Sequence, residues 1–494
     1  MPYYKAMKTK MNIVPMPRNL EVFDSFCELK NLQIRISNEI FNPLIKLSFL
    51  QLNATEADNF SLLEIIKDDS LQEEEYTLKV DTKEIKITAS TYNGAYHGLQ
   101  TLRQLGLDYD NVIPCLYISD KPEFKHRGFM IDCSRHFIPV SELKKLIDMA
   151  AMHHLNVFQW HLVDDQGWRL EIPEFPLLKE ISSKRIMPEY THLDYIYEGM
   201  YSPEDVQEIQ EYANERAMIV VPEIETPGHA SALLAAYPEL GCTGGPYKVE
   251  HRFGIFDDVM CPGNEALFTF LDKVFKYVAS VFKGPYIHIG GDECPTVRWT
   301  TCEKCQTRIK EEKLKDENEL QAYTVTRIAN IVSKYNKQPL GWDEVLYGTE
   351  TLGLPSNLIV MSWQGVKGGL EASRRGFDVI MCPNTQGCYF DYKAIDNENE
   401  PGNIGITTLE DALSYSPILP EMDEETKKHV IGGQANLWTE WVVYPAYAEY
   451  MLFPRLSATA EVLWNKQSVE SFQSRKAALN KRLQKCNIII NTNA

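Results

Sequence analysis

A chain of 494 residues with 44% hydrophobic content is long enough to bury a large core and to divide into two or three domains. Its formal charge of −19 argues against nucleic acid or an anionic membrane surface as a partner and favours a neutral or cationic ligand. No apolar run of about 18 residues is present to span a membrane. The first ten residues hold no apolar segment of a signal peptide, which reads as cytoplasmic unless a leader has been removed, and as periplasmic or secreted if one has.

Residues 1–120 read as an N-terminal α/β domain with a structural role. Glu75–Val80 and Lys83–Thr88 alternate apolar and polar residues around Asp81-Thr82, which predicts a hairpin. Ala95, Leu99, Leu102 and Leu105 then recur at helical spacing. From 121 to 494 the pattern becomes strand, then helix, repeatedly. The strand-like runs are His126–Ser134, Val157–Asp165, Ala217–Thr226, Tyr286–Glu293, Gln338–Glu344, Leu358–Gly365, Asp378–Asn384 and Ile431–Glu440. Helical spacing marks Leu143 to Ala150, Val206 to Ala213 (opened by Ser202-Pro203-Glu204-Asp205) and Leu267 to Phe282. Alternation on this scale predicts a (β/α)₈ TIM barrel with C-terminal helices beside the smaller N-terminal domain. A doubly wound open sheet is the runner-up, and no GxGxxG follows the first strand to support it.

In such a barrel the strand ends face one pocket. Here they read Asp132-Cys-Ser-Arg135-His136, His161-Leu-Val-Asp164-Asp165, Pro222-Glu-Ile-Glu225-Thr-Pro-Gly-His229, Gly290-Gly291-Asp292-Glu293, Gly341-Trp342-Asp343-Glu344, Ser362-Trp363-Gln364, Tyr389-Phe-Asp391 and Leu437-Trp438-Thr-Glu440. The fourth is the most telling, because a buried strand gains nothing structurally by ending in two adjacent acids, each costly to desolvate. Acids walled by aromatic rings, with almost no lysine, describe a carbohydrate pocket. Glycoside cleavage needs a general acid of raised pKa. Adjacent strand residues point in opposite directions, so Asp292 and Glu293 are not expected to face one bond as acid and nucleophile. Either Glu225, Glu344 or Glu440 supplies the nucleophile or the substrate supplies its own, and spacing leaves both open. Arg135 reads alternatively as a structural ion-pair partner of Asp132 or Asp164, and His229 as a satisfied loop histidine. A non-catalytic sugar-binding protein would keep the aromatic walls but has no need of both acids.

Eleven cysteines, an odd number, leave at least one thiol unpaired within the chain. Cys115, Cys133 and Cys382 lie in apolar runs and read as small hydrophobes. Cys302-Glu-Lys-Cys305 has zinc-like spacing, but no second CxxC or paired histidines complete four ligands, so it reads as a helix-start thiol pair and no metal is assigned. Cys242 and Cys261 flank a glycine-rich loop and are placed to bridge it, which would imply an oxidising compartment.

The motifs from Arg127-Gly-Phe-Met-Ile-Asp132 through Asp164-Asp165-Gln-Gly-Trp168, His288-Ile-Gly-Gly-Asp292-Glu293 and Leu437-Trp438-Thr-Glu440 resemble, in order, those of glycoside hydrolase family 20, the β-N-acetylhexosaminidases. The N-terminal unit resembles that family's small α/β domain. The resemblance implies exo-acting, retaining release of terminal β-linked GlcNAc or GalNAc from a glycan. The 2-acetamido oxygen would attack the anomeric carbon, forming an oxazolinium ion that water opens. By position Glu293 resembles the general acid/base, Asp292 the residue that orients the acetamido N–H, and Tyr389 the donor to its oxygen. Trp342, Trp363 and Trp438 resemble the pocket walls, and Arg135, Asp391 and Glu440 the groups on the outer hydroxyls. Asp164 and His229 match supporting polar groups, while Glu225 stands where many relatives have Asp. No metal or organic cofactor is implied. Lacto-N-biosidase-type release of a disaccharide and a barrel glycosidase with a protein nucleophile are the alternatives. Choice of glycan falls to the connections 173–200, 238–263 and 385–430.

Overall fold

The computed structural model describes residues 11–56, 60–186 and 196–493. The first ten residues, and residues 187–195 of the 173–200 connection, both read above from sequence, lie outside the described residues. Six strands form one sheet: β1 (Asn19–Glu28), β2 (Leu32–Ile36), β3 (Ser61–Lys67), β4 (Tyr76–Val80), β5 (Glu84–Ala89) and β6 (Val112–Asp120), in the order β1-β6-β4-β5-β3-β2. The expected hairpin is present, with Val80 opposite Ile85 and Tyr76 opposite Ala89. The helix Tyr92–Asp108 opens at Thr91, whose hydroxyl accepts from the Gly94 N–H at 3.3 Å. Every residue from Gly94 to Gly106 is buried, because this helix is caught between the sheet and the barrel helix Val140–Met152.

Eight parallel strands close a ring: His126–Asp132, Val157–His161, Ile219–Thr226, Tyr286–Gly290, Gln338–Trp342, Ile359–Ser362, Val379–Met381 and Val430–Leu437. Leu437 of the eighth lies beside Ile131 of the first. Closure excludes the open sheet and bears out the barrel. The strands are covered on both faces, which is why they read as near-continuous apolar runs rather than alternating ones. Of the intervening helices, Pro203–Asn214 carries the full capping box, with the Ser202 hydroxyl on the Asp205 N–H and the Asp205 carboxylate on the Ser202 N–H. No helix among the described residues is long and apolar enough to cross a membrane.

Two cysteine readings change. All eleven thiols are free, so Cys242 and Cys261 form no bridge. Cys302 does precede a helix, Glu303–Glu311, but the pair it makes with Cys305 is not isolated: chain folding brings Cys242 and Cys261 onto it. The sequence could not show this, because the loop that carries them is irregular and has no ligand periodicity.

An ion pair locks the sheet unit to the barrel. Glu74, just before β4, takes both Arg127 terminal nitrogens at 2.6 and 3.0 Å and lies 3.0 Å from His97 Nε2. Burial opposes ionisation of Glu74, but Arg127 and His97 outweigh it and hold the carboxyl well below the usual range. A lowered folded-state pKa stabilises above the unfolded value of about 4.3 and is lost as pH falls below it. Glu74→Gln is therefore expected to lower stability at pH 7 by about 3 kcal/mol, with the gap to wild type closing toward acid. Thermal denaturation as pH is lowered from 7 to well below 4 measures both, because the contribution is lost only as pH falls through the lowered folded-state value; an unchanged Tm at pH 7 would dismiss the lock.

Candidate active site

A cavity of about 220 Å³ opens at the C-terminal ends of the barrel strands. Its walls are Arg135, His229, Asp292, Glu293, Trp342, Trp363, Tyr389, Asp391, Trp438 and Glu440, joined by Tyr392 and Asn403. Asp164 stands behind the wall rather than on it, paired with Arg135 at 2.8 Å and with His229 at 3.2 Å. The sequence-derived set is thus brought together around one space.

The floor is a buried polar network. Glu223 accepts from Gln159 Nε2 at 2.8 Å and Trp342 Nε1 at 2.8 Å, and faces His161 Nδ1 at 2.9 Å and His288 Nδ1 at 3.1 Å. Burial opposes charge on His161, but Glu223 and Asp164 outweigh it and raise its pKa to about 10. Asp164 then receives His161 Nε2 at 2.9 Å. His229 repeats the pattern, its charge favoured by Asp164, Asp165 and Glu293 over the cost of burial. Asp165 is held by the Ser231 N–H at 2.9 Å and hydroxyl at 2.6 Å. His161, Glu223 and Glu225, and separately Asp164, Asp165 and His229, are close enough to hold a cation, but most of these groups already pair with one another. Sequence reasoning passed over Glu223, Gln159, His161 and His288 as functional groups. Their signal was a polar residue interrupting an apolar strand, as His288 does between Ile287 and Ile289.

The acid pair corrects the expectation from strand alternation. The strand ends at Gly290, and positive φ at Gly290 (75°), Gly291 (106°) and Glu293 (43°) turns the chain, so both carboxylates line the same cavity. Glycine is required at 290, where a Cβ would collide with the Glu225 carboxylate. His229 Nε2 lies 3.6 Å from Asp292 and 3.5 Å from Glu293, between them. Burial, then the Glu293 charge, pushes the Asp292 pKa up, although His229 opposes this.

The remaining acids are distinguished by their partners. Glu344 accepts from Trp363 Nε1 at 2.8 Å, Gln364 Nε2 at 2.9 Å and the Glu293 N–H at 3.1 Å. Burial and the nearby Asp292 charge nevertheless push it up to about 8. Glu225 is fully buried behind Gly290, and burial beside Asp292 and Glu223 raises it well above the usual range. Asp391 accepts from Asn403 Nδ2 at 3.2 Å, and burial followed by the Glu440 charge raises it to about 8. Asn403 arrives from the 385–430 connection and had no sequence signal. Arg135 satisfies both readings given for it: it pairs with Asp132 at 3.3 Å and Asp164 at 2.8 Å, and it also reaches the cavity, 3.8 Å from Glu440 and 5.1 Å from the Trp438 ring. Tyr389 sits beside the eighth strand at Asn436 and stacks on Trp363 at 6.2 Å. Burial raises its phenol well above 10, so it remains a donor.

A parallel barrel with acids, tryptophans and an arginine around one sugar-sized cavity defines a carbohydrate-active enzyme of the TIM-barrel class. The catalytic-domain model of glycosyl hydrolase family 20 matches residues 124–467, and the family's domain 2 matches residues 10–121. The chain belongs to glycosyl hydrolase family 20. A β-hexosaminidase of Porphyromonas gingivalis is 39% identical over 486 residues, which cover 94% of this chain and 61% of the relative. One of Vibrio furnissii is 34% identical over 468 residues, covering 91% and 76%. A family 20 exo β-N-acetylglucosaminidase of Vibrio harveyi, solved in complex with N-acetylglucosamine, superposes with a TM-score of 0.88 at 30% identity, over 97% of this chain and 78% of that one. The chain thus spans less than two thirds of the Porphyromonas relative's length.

The two buried glutamates of the third strand are expected to respond oppositely to the same change. Glu223→Gln turns an amide N–H₂ toward existing donors and should lose about 3 kcal/mol. Glu225→Gln replaces a carboxyl that burial already pushes toward its neutral form and should change stability by less than about 1 kcal/mol. Thermal denaturation of both at pH 7 decides; equal losses would mean that Glu225 is ionised.

Proposed function

We propose that this protein is an exo-acting, retaining β-N-acetylhexosaminidase that releases terminal β-linked GlcNAc or GalNAc from glycans or glycoconjugates by substrate-assisted hydrolysis. One observation carries the reading. Three cavity-wall carboxylate oxygens, Asp292 Oδ1, Asp391 Oδ1 and Glu440 Oε2, are buried with no hydrogen-bond partner among the described residues. A ligand that satisfies them needs three spaced donors, which the acetamido N–H and ring hydroxyls of an N-acetylhexosamine provide. Relatives named β-hexosaminidase, and the Vibrio harveyi enzyme with its bound N-acetylglucosamine, support the same substrate class.

In this reading Glu293, the most exposed of the wall acids, protonates the leaving oxygen. Asp292 accepts the acetamido N–H while Tyr389 donates to the acetamido oxygen, aligning that oxygen with the anomeric carbon. The oxazolinium ion that forms is cationic, and it relieves the repulsion that raises Asp292 beside Glu293. Water then opens it, with Glu293 as base. Of the three candidate protein nucleophiles, Glu344 is tied by three donors, Glu225 does not reach the cavity, and Glu440 lines it beside Arg135, where it is assigned to the outer hydroxyls. Trp342, Trp363 and Trp438 wall the ring, while Arg135, Asp391, Glu440 and Asn403 take its outer hydroxyls. The cavity is smaller than the roughly 300–1,000 Å³ of drug-sized sites, which suits one terminal ring.

The test is release of p-nitrophenol from β-GlcNAc, β-GalNAc, β-glucoside and lacto-N-bioside conjugates. Cleavage of the acetamido monosaccharides and not the glucoside is expected, with Glu293→Gln slower by roughly 10²–10⁴-fold. Cleavage of the glucoside would establish a protein nucleophile and overturn the mechanism. Activity on the lacto-N-bioside conjugate alone would make the enzyme a lacto-N-biosidase. Asp292→Asn should lose kcat by roughly 10²-fold or more with little change in KM, since its contact tightens in the transition state. An unchanged kcat in that variant would remove Asp292 from catalysis.

A further inference from the structure

We infer that Cys242, Cys261, Cys302 and Cys305 form a structural zinc site that ties together the loops following the third and fourth barrel strands. Chain folding brings the four sulfurs together from three places, all within 4.8 Å of one another. Cys261 Sγ lies 3.7 Å from Cys302 Sγ and 3.6 Å from Cys305 Sγ, and Cys242 Sγ lies 3.8 Å from Cys305 Sγ. A tetrahedron with Zn–S bonds of about 2.3 Å has S–S edges of about 3.8 Å, so these three of the six separations match the edges of a tetrahedral tetrathiolate. Two pairwise bridges would not leave Cys261 equally close to two other sulfurs.

The backbone is shaped for the same purpose. In Cys261-Pro262-Gly263 the glycine lies so close to the Lys304–Cys305 backbone that any Cβ would collide with it. The Cys261 N–H is fixed on the Leu240 carbonyl at 2.9 Å, and the Trp299 indole reaches the Met260 carbonyl at 2.9 Å. Cys261, Cys302 and Cys305 are buried and Cys242 partly so. The cluster is the centre of a satellite core, separate from the main one, that also contains Val259, Trp299 and Ile309. Eight buried residues are a small core for an irregular loop and the short helices it packs on, which is the circumstance in which a metal clip supplies the missing stability.

The donor set specifies the ion. Four soft sulfurs in tetrahedral array select zinc, or iron of the same geometry, over hard cations. With all four positions filled by protein, no site remains for water, so the role is structural. Binding forms four S–Zn bonds and expels the protons carried by the thiols.

Elemental analysis of the full chain, purified without chelator from zinc-supplemented cells, should give about one zinc per chain. In wild type, a mercurial that blocks thiols should release that zinc to pyridylazoresorcinol, a readout that needs no variant. Cys302→Ser with Cys305→Ser should abolish the zinc and lower Tm, whereas Cys486→Ser should retain it. Reconstitution with Co²⁺ should give the visible bands of a tetrahedral cobalt thiolate. A folded, metal-free chain whose Tm is indifferent to zinc and to chelator would overturn the inference, as would disulfides among these four cysteines. Stoichiometric iron in place of zinc would overturn the assignment of the metal.

Discussion

A carboxylate sealed from water stays ionised only where N–H donors replace its hydration, and Glu223 imposes that condition on the whole floor of the barrel. Gln159 from the second strand and Trp342 from the fifth donate N–H groups to it, while His161 and His288 bring their Nδ1 atoms within 2.9 and 3.1 Å. Each is fixed by the contact. Trp342, aimed by its indole N–H, presents its ring to the cavity wall. His161, charged because it bridges Glu223 and Asp164, carries the constraint outward to Arg135 and His229. His229 in turn stands between the two acids of the fourth strand. The geometry of the cavity acids is therefore an outer layer of a charge alternation that begins four residues deeper, at Glu223.

The same alternation explains why the cavity tolerates so much negative charge. Asp292, Glu293, Asp391 and Glu440 face Arg135 and His229, and burial pushes Asp292, Asp391 and Glu440 toward neutrality. A ground-state sugar brings no charge to relieve them. Positive charge on the ring and on an acetamido group does, and the relief is largest where the acids are least solvated. On the proposed mechanism, a pocket strained by its own acids when empty of charge is thus complementary to the transition state rather than to the substrate.

The barrel is legible because its strands are buried on both faces and bounded by polar ends, so position along the chain converts directly into position around the ring. The motif residues are legible for the same reason: a strand end can face only one way in a closed barrel. What escapes is whatever depends on a turn or on distant loops. Alternation along a strand stops applying at Gly290, so the direction of Glu293 follows from dihedrals that glycine permits and no pattern records. Asn403 enters from an irregular connection. Cys242 and Cys261 are separated by a loop of arbitrary length, and their relation to Cys302 and Cys305 exists only in three dimensions.

That last relation bears on the acid itself. Glu293 and His229 both hold positive φ, a conformation that costs an ordinary residue about 1–2 kcal/mol and persists only where surroundings enforce it. On the barrel side the enforcement is visible, with the Glu293 N–H bound to Glu344 and Gly228 packed so near the Asp292 carbonyl that a Cβ would sit 3.0 Å from it. On the outer side the chain leaves Glu293 through Cys294 and a short helix, Val297–Thr301, and reaches the thiol cluster at Cys302. The loop that presents His229 runs on to the same cluster at Cys242 and Cys261. Two strained residues, one from each loop, thus face each other with their loops fastened at a common point beyond them.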